Sequence, residues 1–263
     1  MIRLRFLVSS FVFVFGRAAF QFQVPVPRQE IDVLWKLYNC TNGEAWAWQE
    51  DESSYGAKWN FTSDSYGQYL DNPCSSVVGT TTTTWQGISC SNNASSCSGE
   101  TCYITAIKLQ SYKLIGSIPA VIGDVTALTM LNLARNQLTG PIPDGISTLH
   151  SLQYLVLYTN QLTGPVPADI GGLSDLRDLV LYANHLSGTI PSSIASLASL
   201  WFININQNFL TGPIPNSITN LTTLGFISFF DNFLTHTIPS DIGSMYQLTY
   251  LEMDYNFITG SIP

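Results

Sequence analysis

Few side chains in this sequence could act as catalytic acids, bases or metal ligands, and most of them are scattered. Glu252 and Asp254 are two residues apart and, with Asp178, are the best candidates for a carboxylate pair that hydrolyses a glycosidic bond. On an open surface, however, no pocket would raise the pKa of one carboxyl as acid catalysis requires. The three histidines have neither a nucleophile motif nor metal-ligand spacing around them. We therefore expect no enzymatic activity, no metal and no cofactor.

Five cysteines form the second group with potential chemistry. They lack the Cys-x-x-Cys pairs and nearby histidines of a zinc site. Cys97 and Cys102 enclose four residues, which favours a local disulfide. Because the total is odd, at least one cysteine has no partner within the chain. Such a cysteine could be buried, bonded to another chain, or exchanged into the other pairs.

The N-terminus predicts entry into the secretory pathway. Arg3 and Arg5 precede an apolar stretch at residues 6–15, and small residues follow it. This arrangement is typical of a signal peptide, which we place at residues 1–19. A retained anchor is the alternative, although the stretch is shorter than the roughly 18 residues that span a bilayer. A secreted or cell-surface location, with stable disulfides, is the expectation.

Four Asn-x-Ser/Thr sequences are candidate sites of N-linked glycosylation in a secreted protein. They begin at Asn39, Asn60, Asn93 and Asn220.

The charged residues of the sequence limit the classes of partner that it could bind. Only 11% of the residues are charged, and the net charge of -8 excludes a general nucleic-acid binder.

An internal repeat of 24 residues dominates the second half of the chain and must position the candidate carboxylates and histidines found there. Segments such as Leu131–Leu133 and Leu155–Leu157 alternate as short strands do, with leucines directed inward. After each strand comes an Asn, which Tyr112 replaces in the first copy. An apolar residue and Gly-x-Ile/Val-Pro follow, with Thr-Ile-Pro after His236 in one copy. The asparagines share one register: Asn136, Asn160, Asn184, Asn208, Asn232 and Asn256.

Each part of the repeat has a physical role. The Asn amide can bridge neighbouring turns, so a column of asparagines satisfies backbone groups that tight coiling would bury unpaired. Glycine permits the positive φ or close backbone approach of the turn, and proline stiffens the return path. Since one repeat cannot bury its own apolar face, stability must come from stacking neighbours.

The pattern L-x-x-L-x-L-x-x-N-x-L-x-G-x-I-P resembles the plant-specific leucine-rich repeat of receptor-like kinases, receptor-like proteins and pectinase-inhibitor proteins. The resemblance covers residues 104–263, about seven repeats with the last incomplete. It implies an α/β solenoid, a right-handed leucine-rich repeat superhelix with a parallel β-sheet on its concave side.

Residues 20–103 do not repeat and resemble the N-terminal cap of the same family. Ile31, Leu34, Trp35 and Tyr38 are spaced to form one face of a helix, and tryptophans follow. A cap covers the open end of the solenoid. The resemblance implies a disulfide between Cys74 and Cys90, which leaves Cys40 single beside the predicted Cys97–Cys102 pair.

If the strands line the concave face, the residues that alternate with the inward leucines point outward, and they include rows of aromatic side chains. We expect these side chains to bind a ligand, since exposed aromatics commonly anchor interfaces. The alternative is that same-face aromatic pairs only stabilise the sheet. The candidate ligand-binding residues are Tyr154, Tyr158, Asp178, Tyr182, Phe202, Phe226, Phe230, Tyr250, Glu252 and Asp254.

The expected function is extracellular recognition of a peptide, protein or glycan by a receptor-like ectodomain, with a possible co-receptor. A secreted inhibitor of a cell-wall hydrolase such as polygalacturonase is the alternative that the resemblance allows. The sequence ends at Pro263 within a repeat, which favours a fragment of a longer receptor. Any attachment to a membrane would then depend on a segment outside this sequence.

Overall fold

The computed structural model describes residues 26–50, 55, 57–61, 72–74, 76–78, 81–91 and 102–263. The predicted signal peptide, Cys97 and Asn93 lie outside these residues. Within them, no helix combines the length and apolar character needed to cross a membrane.

One α-helix, sixteen short strands and several 3₁₀ helices make up the described chain. In order they are α1 (Arg28–Cys40), β1 (Ser76–Val78), β2 (Thr81–Thr83), β3 (Ile88–Cys90), β4 (Ile104–Lys108), β5 (Ile115–Ser117), β6 (Met130–Asn132), β7 (Gln137–Pro141), β8 (Tyr154–Val156), β9 (Gln161–Gly164), β10 (Asp178–Val180), β11 (His185–Thr189), β12 (Phe202–Asn204), β13 (Phe209–Pro213), β14 (Phe226–Ser228), β15 (Phe233–Thr235) and β16 (Tyr250–Glu252). The 3₁₀ helices are Gly43–Ala45, Ala120–Asp124, Asp144–Thr148, Ile170–Gly172, Ser192–Ser196, Asn216–Asn220 and Ser240–Ser244.

The predicted parallel sheet is confirmed as an eight-stranded sheet in the order β16-β14-β12-β10-β8-β6-β4-β3. Neighbouring strands from β4 to β16 pair in parallel at the repeat spacing, so that Leu155 lies beside Leu179 and Leu179 beside Ile203. The cap contributes β3, which pairs with β4 antiparallel. The inward leucines of successive repeats form one continuous buried core.

A second parallel sheet, which the sequence did not indicate, runs along the side of the solenoid in the order β15-β13-β11-β9-β7-β5. Its strands follow the repeated Asn and contain the Gly-x-Ile-Pro glycine or end beside it. On the far side, the proline of each motif precedes a 3₁₀ helix, as Pro143 does at φ -70. The fixed φ of proline suits that position.

The asparagine column, hereafter the Asn ladder (Asn136, Asn160, Asn184, Asn208, Asn232 and Asn256), makes the predicted bonds between coils. In the Asn184 copy, Nδ2 donates to the carbonyls of Leu157 and Leu181 at 3.1 and 3.0 Å. Its Oδ1 accepts the backbone N–H of Leu162 at 3.1 Å. The same bonds recur at the other members. Each amide thus joins its own coil to the preceding one.

The cap is built on α1 and an aromatic cluster. Helical spacing grouped Trp35 with Ile31 and Leu34, but Trp35 is 45% exposed while the other two are buried. The helix ends before Asn42, which adopts a left-handed conformation.

The cysteines of the cap region were predicted to form two disulfides. The Cys74–Cys90 disulfide is confirmed, with Cα atoms 5.9 Å apart, and Cys40 is free and exposed. Cys102 is also disulfide-bonded. Its predicted pairing with Cys97 stays a prediction.

Buried Glu30 ties the cap to the repeats. Its Oε2 accepts the backbone N–H of Ile104, the first residue of β4, at 2.8 Å. Burial raises the pKa of Glu30 to about 7, although the bond from Ile104 opposes the shift. The Glu30 carboxyl therefore provides a hydrogen-bond acceptor for the N–H at the start of β4, although its removal from water is unfavourable.

Candidate ligand-binding face

The concave sheet places repeat-equivalent residues side by side. In parallel strands at this register, Tyr154, Asp178, Phe202, Phe226 and Tyr250 become direct neighbours in one column. A second column, two residues beyond each strand, includes the predicted Tyr158, Tyr182, Phe230 and Asp254. All ten predicted ligand-binding residues lie on this one face.

Three rings at the C-terminal end of the first column form a continuous stack, hereafter the terminal stack (Phe202, Phe226 and Tyr250). Both pairs have centroids 4.3 Å apart, with planes within 13° and 1° of parallel. Such contacts stabilise a sheet beyond the area they bury. They also cover the ring faces, so that mainly the ring edges and the outer face of Tyr250 remain accessible.

Tyr154 is not a member of the terminal stack. Asp178 lies between Tyr154 and Phe202 in the column. Burial raises the pKa of the Asp178 carboxyl, and the charge of Arg177 lowers it in part. A half-buried carboxylate therefore interrupts the aromatic column.

A second pair, the central stack (Tyr158 and Tyr182), occupies the middle of the face. Its rings lie 4.5 Å apart and within 8° of parallel. The guanidinium of Arg135 lies 5.8 Å from the Tyr158 centroid, a cation–π distance. Burial and the neighbouring Tyr158 raise the pKa of Tyr182, while Arg135 opposes the shift.

Phe230 does not continue the central stack. Asn206 occupies the intervening position of the column, and Phe230 instead packs edge-to-face on Tyr255 at 5.1 Å. Tyr255 is 75% exposed and was not among the predicted binding residues. Its position in the left-handed turn after the strand, at φ 54, projects it beside Phe230.

Acidic groups surround the terminal stack. Glu252 accepts a bond from the Ser228 hydroxyl at 2.7 Å, and Asn206 donates to Ser228 at 3.2 Å. Desolvation, together with Glu252 and Asp254, raises the pKa of the Tyr250 hydroxyl. Asp254 is exposed, so this end of the face presents negative charge to solvent.

The two halves of the repeat region differ in charge. Residues 104–177 contain four acidic and four basic residues, including Lys108 and Arg135 on the concave face. Residues 178–263 contain five acidic residues and no lysine or arginine. The charge on the concave face is therefore distributed unevenly along the solenoid axis, with the cations at the N-terminal end.

A second aromatic row was missed by the sequence analysis. Phe209, Phe233 and Phe257, the lateral row, begin the second-sheet strands or their equivalents and are 49%, 45% and 61% exposed. Successive centroids are 6.0 Å apart, and His185 extends the row at 5.7 Å from Phe209. Each ring directly follows an Asn of the ladder. The 24-residue register could have revealed the row once the second sheet was known.

Two of the histidines considered for catalysis contact residues of their own or the next repeat. Within the described ranges, no three His, Cys, Asp or Glu side chains are grouped so as to hold a metal ion. His185 stacks on Phe209, and His236 contacts the Thr235 hydroxyl at 2.8 Å.

Comparison with known proteins agrees with this architecture. The model of the Leucine Rich Repeat family matches residues 127–149, 151–173, 175–197 and 199–221. No curated protein sequence gives a significant match.

Three solved structures illustrate the similarity. The plant peptide hormone receptor RGFR1, solved in complex with RGF2, is 39% identical over 59% of this chain, with a TM-score of 0.59. This chain covers only 25% of that receptor. Pollen Receptor Kinase 3 is 26% identical, with 80% of this chain and 93% of that chain covered and a TM-score of 0.59.

The third structure, the BIR3–SERK2 complex from Arabidopsis thaliana, is 26% identical, with 88% of this chain and 93% of that chain covered and a TM-score of 0.50. These similarities agree with three features of the structure, namely the repeat register, the Asn ladder and the disulfide-bonded cap. The described chain therefore contains leucine-rich repeats, and it is similar to plant receptor ectodomains that carry them.

Proposed function

We propose that this chain is an extracellular recognition module of a receptor-like protein, and that its concave face binds an extended peptide or protein segment. The observation that carries the proposal is the concave face itself. Two ring stacks lie on it between a cationic and an acidic end. Similarity to a receptor solved with a peptide hormone supports the same class of ligand.

A peptide suits the face better than a glycan does. Sugars bind aromatic side chains through open ring faces, but the rings of both stacks largely cover one another. Ring edges and hydroxyls, by contrast, suit the side chains and backbone of a peptide. Seven parallel strands spaced about 4.8 Å apart span roughly 30 Å, the length of about nine extended residues.

Charge gives the ligand a direction. Glu252, Asp254 and Asp231 favour lysine or arginine at the C-terminal end of the solenoid. Lys108 and Arg135 favour a carboxylate at the other end. Complementary charges of this kind increase the association rate and fix the register of a complex more than they add affinity.

The test is binding to an array of synthetic peptides ranked by their content of lysine and arginine. We expect binding to rise with that content and to weaken with salt. The double variant Tyr158→Ala plus Tyr182→Ala should lower the affinity more than tenfold without unfolding the protein, since buried aromatic anchors contribute about 2 kcal/mol or more each.

The matched control is Phe209→Ala plus Phe233→Ala, which removes two exposed stacked rings from the lateral row. This variant should keep its affinity for the array peptides. Equal affinity of the wild type and the Tyr158/Tyr182 variant would exclude the concave face as the binding surface. Inhibition of a polygalacturonase by the chain would instead support the alternative, a secreted hydrolase inhibitor.

A further inference from the structure

A cavity of about 350 Å³ opens on the surface of the cap, far from the concave stacks. Four aromatic residues, Trp35, Tyr38, Trp59 and Phe61, line it. Trp59 is buried and Tyr38 half-buried, whereas Trp35 is 45% exposed. An exposed tryptophan at the wall of a cavity that also presents polar groups favours a ligand that can both cover its ring and form hydrogen bonds.

Asn39 lines the same cavity and begins the sequence Asn39-Cys40-Thr41. Asn39 is exposed in the last turn of α1, four residues after Trp35. Residues at this spacing are neighbours on a helix surface, with Cβ atoms about 5–6 Å apart. The acceptor amide therefore lies beside the exposed ring.

We propose that Asn39 carries an N-linked glycan whose first sugar packs on Trp35 and closes the cap cavity. The inference depends on the predicted secretion of the chain but not on the proposed peptide ligand. In the transfer step, Nδ2 of Asn39 attacks C1 of the first N-acetylglucosamine of a lipid-linked oligosaccharide. The C1–Nδ2 bond forms, the C1–O bond to the lipid diphosphate breaks, and Nδ2 loses one proton.

Attachment makes a weak sugar–aromatic contact effective. Once linked to Asn39, the sugar meets Trp35 in an intramolecular step, and its effective concentration is far above that of a free sugar. The apolar face of the pyranose then removes part of the exposed indole from water. Glu44 also lines the cavity, and its carboxylate can accept hydrogen bonds from the sugar hydroxyls.

The order of events follows from Thr41. Its side chain is buried and donates to the carbonyl of Leu37 at 2.6 Å in the folded cap. A transferase must read the threonine hydroxyl together with Asn39. Transfer therefore precedes the folding of this helix end, and the glycan is already present when the cavity forms.

The experiment uses the full chain secreted from eukaryotic cells. Mass spectrometry of its peptides should show Asn39 occupied. Trimming with an endoglycosidase that leaves one N-acetylglucosamine should preserve the Tm, whereas Asn39→Gln should lower it by about 2–4 °C, the shift expected in a domain of this size for one contact of this kind. Thiol-reactive reagents should label Cys40 faster in that variant.

A double-variant cycle assigns the effect to the ring. Trp35→Ala should lower the Tm of the glycosylated protein, with a much smaller effect in the Asn39→Gln background. Asn220→Gln, which removes a sequon on the 3₁₀ helix Asn216–Asn220, serves as the control and should leave the Tm unchanged. An unmodified Asn39, or an equal effect of Trp35→Ala in both backgrounds, would overturn the proposal.

Discussion

The repeats and the cap bury polar groups in opposite ways. In the repeats, one solution recurs: each Asn of the ladder bonds to its own coil and to the preceding one. In the cap, each contact occurs once. Gln86 exchanges bonds with the Gln49 backbone, Trp59 donates to Gln86, and Glu30 accepts from Ile104 of β4.

The difference teaches where stability is distributed and where it is concentrated. Stacked repeats gain stability from many equivalent interfaces, so that losing one bond set weakens mainly one interface. The cap has no second copy of any contact, and one of its bonds to the repeats depends on an ionisable group. Three predictions test this contrast, beginning with the largest effect.

The first prediction concerns the ladder. Asn184→Ala should lower the free energy of unfolding by about 3 kcal/mol or more, because the N–H of Leu162 and the carbonyls of Leu157 and Leu181 lose a buried partner, at roughly 1–3 kcal/mol each. Urea denaturation followed by circular dichroism measures the change.

The control is Asn256→Ala, which removes a similar set of bonds at the half-buried end of the ladder. Water can replace the lost partners there, so a cost of about 1 kcal/mol is expected. Equal costs at the two positions would mean that burial does not govern the contribution of the ladder.

The second prediction concerns the ionisable bond between the cap and β4. The pKa of Glu30 is raised from 4.5 to about 7 in the folded protein. Between these values the native state keeps a proton that the unfolded chain releases, so stability falls as the pH rises through this window. From pH 4.5 to pH 8 the loss should reach up to about 3 kcal/mol.

The matched variant is Glu30→Gln, whose side-chain oxygen can still accept from Ile104 but does not titrate. Subtracting its pH profile from that of the wild type isolates the contribution of Glu30. Parallel profiles for the two proteins across pH 4.5–8 would show that the carboxyl has no raised pKa.

Periodicity explains what could be predicted from the sequence. The strands, the Asn ladder and the proline turns recur at a fixed spacing, so each copy supports the interpretation of the others. Even there, pairing along a column depends on the residue in the neighbouring repeat. Asp178 separates Tyr154 from the terminal stack, and Asn206 separates Phe230 from the central stack.

In the cap, no repeat constrains the interpretation. Helical spacing alone grouped Trp35 with the buried Ile31 and Leu34, but its ring is 45% exposed. Glu30 has the sequence context of an ordinary first-turn acid. Its role becomes visible only when β4, 74 residues later, supplies the donor.

The smallest effect tests a departure from the repeat pattern at the motif glycine. His236 occupies the position of the motif glycine and adopts φ 67, close to the φ 76 of Gly188 and Gly212. A left-handed conformation costs a non-glycine residue about 1–2 kcal/mol. Replacing it with glycine removes this cost, but glycine loses more chain entropy on folding, which offsets part of the benefit. His236→Gly should therefore stabilise the protein by about 0.5 kcal/mol and raise the Tm by about 1–2 °C.

The converse substitution sharpens this test. A Cβ added at Gly188 would meet only the Cβ and Cα of Pro165, at 3.5 and 4.0 Å, so that Gly188→His introduces backbone strain without a severe clash. It should lower stability by about 1 kcal/mol in calorimetry. Since His236 also contacts the Thr235 hydroxyl, a stability loss in His236→Gly would show that this exposed bond outweighs the strain. The departure from glycine would then be a stabilising adaptation of that repeat rather than a tolerated defect.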